Sequence, residues 1–277
     1  MMNHPRIDCH THIVNREIYD QYRATPAGDN YALVMEFLPH MRRDALPDCS
    51  WELCDGSEKL FLCPCVDIHG DIPGQLAAIE EKMRLRPGCR VVGLKIFLAY
   101  QTGRADDERM MPIYDFAKAK DLSVTFHTGY PSYHLPYEND MEGSKVKYVS
   151  NVARMYPEVN FIVAHMGDPY YDESIQAMHG LSNMFTDFCG AFEPGTEVAA
   201  DEEGTIEKFA HAIHQYPDTH TQVLYGTDFC PPIWLFEVDK YDYTIGKIFP
   251  EDKFRDIYWN NALRAFPRVA AYLEKKG

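Results

Sequence analysis

Short apolar runs alternate along the chain with segments of helical periodicity. Each run is nearly continuous in apolar character, which is typical of parallel strands buried on both faces. The predicted strands are Arg6–His12, Leu60–Val66, Val91–Phe97, Ser123–His127, Asn160–His165, Met184–Asp187 and Gln222–Asp228. The pattern therefore predicts a parallel sheet.

The segments between the strands carry apolar residues every three or four positions, which is the period of an α-helix. Three sets show it: Ile72, Leu76, Ile79 and Met83; Val146, Val149, Val152 and Ala153; Ile206, Phe209, Ala210 and Ile213. A proline ends each of these helices before the next strand, at Pro87, Pro157 and Pro217. Strand, helix and proline-marked turn recur in this order and predict serial βα units.

Eight such units would form a (β/α)₈ TIM barrel, for which 277 residues is a usual length. Only seven strands are predicted, so the missing one should be the second, within Ile13–Lys59, where several prolines make the pattern irregular. The barrel is then distorted or has an irregular second strand, and an open doubly wound sheet is the alternative. No linker divides the chain, so we expect residues 1–277 to form one domain.

Charge and cysteine content narrow the expected partners. A net charge of −15 argues against nucleic acid or an anionic membrane surface as the main partner. No apolar run is long enough to cross a bilayer, and the N-terminal residues lack a signal-peptide core. The eight cysteines include no Cys-x-x-Cys pair, so we expect free thiols in a cytoplasmic protein. The expected partner is a small-molecule substrate. The sequence does not determine the oligomeric state, and a homo-oligomer is one alternative.

His10 and His12 are the first candidates for chemistry. They are two residues apart in a strand, so both side chains project to the same face. In the first strand of a barrel that face is the interior, near the C-terminal mouth where active sites are built. The pair alone is weak evidence, because chance supplies about half a His-x-His pair among this many histidines.

Three more polar residues, His127, His165 and Asp228, end predicted strands. A buried imidazole or carboxylate is costly there unless it is hydrogen-bonded or bound to a metal ion. Because the C-terminal ends of the strands meet at one mouth, these side chains should converge with His10 and His12. The set predicts a metal site, and hydrogen-bonded strand-end residues without an ion are the alternative.

Lys95 is a charged residue inside the otherwise apolar strand Val91–Phe97. Alternation places its side chain on the same face as Gly93. The lysine either packs along its apolar stem and reaches solvent with its ammonium, or it points into the mouth. In the mouth it would bind a substrate anion or, after modification, ligate a second ion.

The segments Ile-Asp-Cys-His-Thr-His, Gly-Leu-Lys-Ile, Phe-His-Thr-Gly, Ala-His-Met-Gly and Leu-Tyr-Gly-Thr-Asp-Phe occur in this order. Together they resemble the amidohydrolase superfamily, and Trp-Asn-Asn-Ala-Leu-Arg-Ala-Phe resembles its closing helix. The resemblance is to the amidohydrolase-related metal-dependent hydrolases, a branch that also contains decarboxylases such as aminocarboxymuconate-semialdehyde decarboxylase. It covers almost the whole chain and departs from the pattern in Ile13–Lys59.

The resemblance implies metal ligands at His10, His12, His127 and Asp228. Asp228 would also be the general base, and His165 would be a ligand or would polarise the substrate carbonyl. Lys95 matches the position that some members carbamylate to bridge two metals. We expect one tightly held divalent ion, with Lys95 as a second-ion or substrate ligand. Histidines and a carboxylate favour zinc, with manganese as the alternative.

The loops after the strands are expected to select the substrate. The candidates are Lys95, Tyr100, Arg104, Tyr130 and His134, with Tyr133, Asp168 and Trp234 near them in the sequence. Arg104 would hold a substrate carboxylate through two hydrogen bonds, although a lone loop arginine is more often simply solvated.

The leading hypothesis is a metal-dependent hydrolase that uses a metal-activated water, with Asp228 as general base. Its substrate would be a lactone, amide or ester of a small carboxylated molecule. A metal-dependent decarboxylase on the same scaffold is the second hypothesis, and a non-catalytic metal-binding barrel is the third. The number of polar groups aimed at the mouth argues against the third. The sequence leaves the substrate, the reaction subclass and the number of metal ions open.

Overall fold

The structure is a computed structural model that describes residues 5–38, 41, 48–130, 141–192, 200–230 and 238–276. Within these residues the chain forms seven short strands, and nearly every strand residue is buried. They are β1 (Ile7–Thr11), β2 (Tyr31–Met35), β3 (Leu60–Cys63), β4 (Gly93–Phe97), β5 (Ser123–His127), β6 (Phe161–Ala164) and β7 (Met184–Thr186). Six of the seven predicted strands are therefore confirmed as strands; Ser123–His127 matches at both ends, and the ends of the others differ by at most three residues.

All strand pairs are parallel, and they form two sheets in the orders β1-β2-β3 and β4-β5-β6-β7. The edges of β3 and β4 meet through an isolated parallel bridge between Leu62 and Val91. Beside it the Val92 N–H donates a hydrogen bond of 3.0 Å to the Leu62 carbonyl. The two sheets are therefore continuous at this edge.

The predicted eighth strand, Gln222–Asp228, joins β7 to β1. On one side the Leu224 N–H donates to the Thr186 carbonyl at 2.8 Å, and on the other the Cys9 N–H donates to the Tyr225 carbonyl at 2.9 Å. The segment makes isolated bridges rather than a continuous ladder. These contacts bring the outer edges of the two sheets together, which an open doubly wound sheet would not do. The fold is a (β/α)₈ barrel.

β2 lies inside the segment where the sequence pattern showed no strand. It pairs with β1 on one side and with β3 on the other, as the second strand of a barrel should. Its run, Tyr-Ala-Leu-Val-Met, is short and contains one β-branched residue, so its β propensity is modest. The preceding helix, α1 (Arg16–Arg23), begins after Asn15, whose side chain accepts a hydrogen bond of 3.0 Å from the Ile18 N–H.

Helices connect the strands and cover the outside of the barrel. After α1 they are α2 (Ser50–Asp55), α3 (Ile72–Leu85), α4 (Leu98–Gln101), α5 (Met111–Ala119), α6 (Val146–Met155), α7 (Tyr171–Met178), α8 (Glu202–His214), α9 (Val238–Ile248), α10 (Asn261–Ala265) and α11 (Pro267–Glu274). The three predicted apolar stripes fall on α3, α6 and α8, and each helix buries most of its stripe. None of the helices in the described ranges is long and apolar enough to cross a membrane.

Two apolar clusters fill the fold. The larger one lies between the strands and the surrounding helices, and it joins residues such as Leu94 and Phe126 to Ile79. The smaller one lies inside the barrel and includes Phe266, which stands between α10 and α11. The ring lies beside Gly93, where a Cβ would be only 2.9 Å from the Ser123 carbonyl oxygen and 3.1 Å from Cys63 Sγ. Apolar side chains therefore close the N-terminal end of the barrel.

Candidate metal centre

His10 and His12 face the inside of the barrel at the end of β1. Cys9, the immediate neighbour of His10, also belongs to the inner apolar cluster. A register shift explains this, because β1 advances three residues from Asp8 to Thr11 while β2 advances two. The extra residue re-aims the side chains that follow it, as at a β-bulge. Both histidines therefore reach the mouth of the barrel.

Asp228 is the residue on which these two histidines converge. Its Oδ1 lies 3.5 Å from His10 Nε2 and 3.3 Å from His12 Nε2. The His12 Nδ1–H donates to the Met35 carbonyl at 2.9 Å, so neutral His12 presents a lone pair to the carboxylate. The buried Asp228 Oδ1 accepts no hydrogen bond from the described residues. A buried carboxylate oxygen that faces the lone pair of an imidazole nitrogen is unfavourable by itself, and a cation bound between the two atoms would stabilise both.

Lys95 is fully buried and points into the barrel, which excludes a lysine that reaches solvent. Its Nζ lies 3.0 Å from His10 Nε2 and donates a hydrogen bond to that nitrogen. Burial lowers the pKa of Lys95, while Asp228 and Asp187 oppose the shift. A metal ion bound to His10 Nε2 would take the place of this hydrogen bond.

His127 and His165 form a second pair of imidazoles at the mouth. The His127 Nε2–H donates to the Tyr130 carbonyl at 3.0 Å, and the His165 Nδ1–H donates to the Cys189 carbonyl at 2.7 Å. The two remaining ring nitrogens, His127 Nδ1 and His165 Nε2, face each other at 3.1 Å. In the neutral rings both carry lone pairs, so this contact also requires a proton or a cation.

Burial favours neutral imidazoles at the mouth. Desolvation lowers the pKa of His10 and of His127 well below the usual range, and it lowers the pKa of His12 as well. Burial alone would raise the pKa of Asp228, and positive charge at the His10 and His12 rings would bring it below its ordinary value. Neutral histidines beside an ionised carboxylate are the protonation states in which these groups bind metal ions.

His165 and Asp228 share an uncommon backbone conformation. Their φ angles of 64° and 53° lie in the left-handed region, which non-glycine residues rarely adopt and which is often found at functional sites. Gly190, with a φ of 72°, lies behind both side chains. A Cβ on Gly190 would lie 2.9 Å from Asp228 Oδ2 and 3.0 Å from His165 Nδ1. Glycine at this position lets the two side chains come together.

Two groups of described side chains have ligand atoms close enough to share one ion. They are His10, His12 and Asp228, and His10, His165, Asp187 and Cys189. His127 belongs to neither group, although it contacts His165. The first group contains the carboxylate oxygen without a hydrogen bond. Two imidazoles and one carboxylate also match the donor set of zinc sites, so this group fits a divalent cation.

The predicted substrate-binding residues divide between the mouth and the surface. The Tyr100 ring contacts the His127 ring edge-on, with centroids 4.8 Å apart. Tyr130 approaches the same histidine through its carbonyl, while its side chain is exposed. Arg104 pairs instead with Asp106 at 3.3 Å, and no contact among the described residues joins it to the histidines. His134, Tyr133 and Trp234 lie outside the described residues.

Sequence reasoning missed Asp187 and Cys189. Asp187 ends the predicted strand Met184–Asp187, which is the signal that singled out His127 and Asp228, so it could have been found. Cys189 counted only as one of the free, buried thiols, and its place beside the histidines depends on a turn that no spacing reveals. Asp168, a predicted loop candidate, accepts a hydrogen bond from the Tyr171 hydroxyl.

Residues 64–268 match the family model described as Amidohydrolase. The matched part begins directly after β3 and includes Lys95, His127, His165 and Asp228. No curated protein matches the sequence closely enough to count as a relative.

Solved structures with low sequence identity share the fold. An amidohydrolase from Burkholderia multivorans with bound zinc has a TM-score of 0.65 and 15% identity, covering 95% of this chain and 99% of that one. A probable 2-pyrone-4,6-dicarboxylic acid hydrolase from Acinetobacter baumannii, with citric acid bound, has a TM-score of 0.62 and 11% identity, covering 96% and 100%. 5-Carboxyvanillate decarboxylase from Sphingomonas paucimobilis has a TM-score of 0.56 and 15% identity, covering 95% and 99%.

Proposed function

We propose, from the premise that this chain belongs to the amidohydrolase family, that it is a metal-dependent hydrolase of a small lactone, amide or ester. The observation that carries the proposal is the buried Asp228 Oδ1, which accepts no hydrogen bond from the described residues and faces His10 and His12. These three residues would hold the ion, with His127 and His165 as further ligands. When bound, the ion supplies a water of lowered pKa and a positive charge beside the substrate carbonyl.

Asp228 is the proton acceptor in this proposal. Positive charge at the mouth brings its pKa below the ordinary value, so the carboxylate is ionised at neutral pH and available as an acceptor. It would take a proton from the attacking water and deliver it to the leaving group, as a general base within hydrogen-bond reach does. The left-handed backbone at Asp228 aims the carboxylate at the mouth.

His165 and Lys95 would act on the substrate side of the site. The His165 Nδ1–H is used by the Cys189 carbonyl, so neutral His165 presents a lone pair at Nε2 and is suited to a ligand. Polarising a substrate carbonyl through Nε2 would require the protonated ring. The buried Lys95 ammonium would then orient a substrate carboxylate or stabilise the developing oxyanion.

A metal-dependent decarboxylase is the second candidate. The observation that favours it is Lys95, a buried cation that would bind a substrate carboxylate directly beside the ion. The likeness to 5-carboxyvanillate decarboxylase supports the same reading. We propose zinc as the ion for either reaction, with manganese as the alternative, because histidine nitrogens and a carboxylate suit both. All eight cysteines are free, which fits a cytoplasmic protein.

The test compares Asp228→Asn with Asp242→Asn in protein stripped with a chelator and reloaded with zinc or manganese. Asp242 pairs with Arg6 on the outside of the barrel and is the matched control. Turnover would be measured on a panel of lactones, esters and amides, and carbon dioxide release on aromatic and dienoic acids. Asp228→Asn should reduce turnover about 100- to 10,000-fold, because the base is lost, while Asp242→Asn should retain it.

Each result decides between hypotheses. Full turnover of every active substrate by Asp228→Asn would disprove the mechanism. Carbon dioxide release without hydrolysis on any member of the panel would replace the hydrolase by the decarboxylase. Turnover that returns when the metal is added would exclude a non-catalytic metal-binding barrel.

A further inference from the structure

Asp187 lies beneath the candidate metal centre and contacts three of its groups. Its Oδ1 accepts hydrogen bonds from the His165 backbone N–H at 2.8 Å and from the Cys189 thiol at 3.0 Å. Its Oδ2 lies 3.2 Å from His10 Nδ1 and accepts a hydrogen bond from that nitrogen. The carboxylate is buried, with 1% exposure, so these contacts are not shared with solvent.

We propose that Asp187 is the positioning residue of the site: it fixes the tautomer of His10 and holds the backbone of His165. This inference rests on the proposed function, because a bound ion is what the two imidazoles are positioned for. Asp187 itself contacts neither the ion nor the substrate in this proposal and acts only through the two histidines.

The tautomer of His10 follows from what a carboxylate can do. An ionised carboxylate only accepts, so His10 Nδ1 must carry the hydrogen and Nε2 must present its lone pair to the mouth. Metal-binding histidines commonly donate their second ring N–H to a carboxylate or a backbone carbonyl for this reason. His12 uses the Met35 carbonyl in the same way. His10 relies on a side chain, so its tautomer can be changed by substitution.

The contact with His165 concerns the backbone. His165 has a φ of 64°, which costs free energy for a residue with a Cβ. Its N–H donates to Asp187 Oδ1, which gives the buried donor a partner in that conformation. One carboxylate therefore links the histidine at the end of β1 to the histidine that follows β6.

A second metal ion held by Asp187, His10, His165 and Cys189 is the competing interpretation, since their ligand atoms are close. Their hydrogens, however, already have acceptors: His10 and Cys189 donate to Asp187, and His165 donates to the Cys189 carbonyl. These contacts describe a support for the site and not a second centre.

The experiment uses Asp187→Asn, which keeps the size of the side chain. Its oxygen can still accept from the His165 N–H, but its amide would donate to His10 Nδ1 and move the ring hydrogen to Nε2. We would measure the ¹⁵N chemical shifts of the His10 ring in metal-free protein, assigned with His10→Gln, and the zinc Kd by chelator competition. The expected result is an Nδ1–H tautomer in the wild type, an Nε2–H tautomer in the variant, and zinc binding weakened about 10- to 100-fold.

Asn183→Ala is the matched control for the loss of a buried polar side chain. Asn183 donates to the carbonyls of Ala153, Tyr156 and Val159, away from the histidines. It should lower the melting temperature but leave the His10 tautomer and the zinc Kd unchanged.

Two outcomes overturn the inference. One is an Nε2–H tautomer of His10 in the wild type, which needs no variant and so does not depend on whether Asp187→Asn folds. The other is wild-type zinc affinity and tautomer in Asp187→Asn, which would make Asp187 a purely structural residue. A wild type that shows the Nδ1–H tautomer but binds neither zinc nor manganese would contradict the proposed function and leave the tautomer assignment standing.

Discussion

The two ends of the barrel interior are built from opposite chemistry. At the N-terminal end Phe266 packs against the inner apolar cluster beside Gly93. At the C-terminal end Asp228 has a buried oxygen without a hydrogen bond from the described residues, and His127 and His165 turn lone pairs towards each other. At the first end the protein's own side chains pack against one another, while at the second end the polar atoms need a bound cation to satisfy them. Stability and chemistry are thus separated along the barrel axis.

The largest effect on folding should come from emptying the N-terminal end. Phe266→Ala removes a fully buried ring and should lower the free energy of unfolding by about 3–5 kcal/mol, the usual cost of such a cavity. Urea unfolding would measure it, with the exposed Tyr243→Ala as the control. Zinc affinity should not change, because the ring does not contact the histidines. If Phe266→Ala weakened the free energy of zinc binding by as much as the free energy of unfolding, stability and metal binding would not be separated between the two ends.

A smaller effect should come from filling the C-terminal end. Zinc at 100 times its Kd should stabilise the folded protein by about 2.7 kcal/mol if it binds the folded state alone. Phe266→Ala should gain the same increment, because effects at distant sites add, whereas Asp228→Asn should gain much less. Thermal or urea unfolding with and without zinc would check both. An equal gain for Asp228→Asn would place the ion elsewhere.

A third effect, which depends on pH, concerns Asp8, a buried carboxylate that differs from Asp228 because the protein supplies its donors. The Thr227 hydroxyl donates to it at 2.7 Å and the Tyr22 hydroxyl at 3.0 Å. Burial nevertheless raises the pKa of Asp8 to about 7. A carboxyl group with a raised pKa stabilises the fold at low pH, and this contribution is lost as the pH rises from about 4 through about 7.

Between about pH 5 and 7 the wild type should therefore lose about 1.4 kcal/mol per pH unit relative to Asp8→Asn. Urea unfolding of both proteins at several pH values would show this as a change in the difference between their stabilities. The neighbouring Tyr22 and Tyr225 stay protonated in this pH range, because burial raises the pKa of both hydroxyls well above its usual range. A difference that stays constant with pH would contradict the raised pKa.

Most of the fold could be predicted from the sequence, because buried parallel strands and amphipathic helices leave strong local patterns. β2 could not be located, since its five residues carry little β propensity. The predicted strand Gln222–Asp228 makes isolated bridges rather than a continuous ladder, and its last residue has a left-handed backbone. Local patterns report which residues are buried, but they do not report how continuous a ladder is.

The convergence of His10, His12 and Asp228 was predicted, and the structure brings these side chains together. Their roles as ligands and base stay predictions. The direction of each imidazole could not be predicted, because it is set by partners distant in the sequence. Two of them are the Met35 carbonyl and Asp187, which is 177 residues from His10. Contacts of this range leave no periodicity in the sequence.

The register shift in β1 makes the candidate centre sensitive to the length of the strand as well as to its composition. In a regular strand each residue exchanges faces with the next, so a change of one residue moves every side chain beyond it to the other face. Cys9 and His10 share the inner face across the irregularity, so deleting Cys9 would make the strand regular and keep both histidines on the face opposite Asp8. A strand of the present length that became regular would instead move both histidines to the face of Asp8. Transplanting the segment Asp-Cys-His-Thr-His into another barrel would therefore require the bulge as well, whereas Asp-His-Thr-His would not.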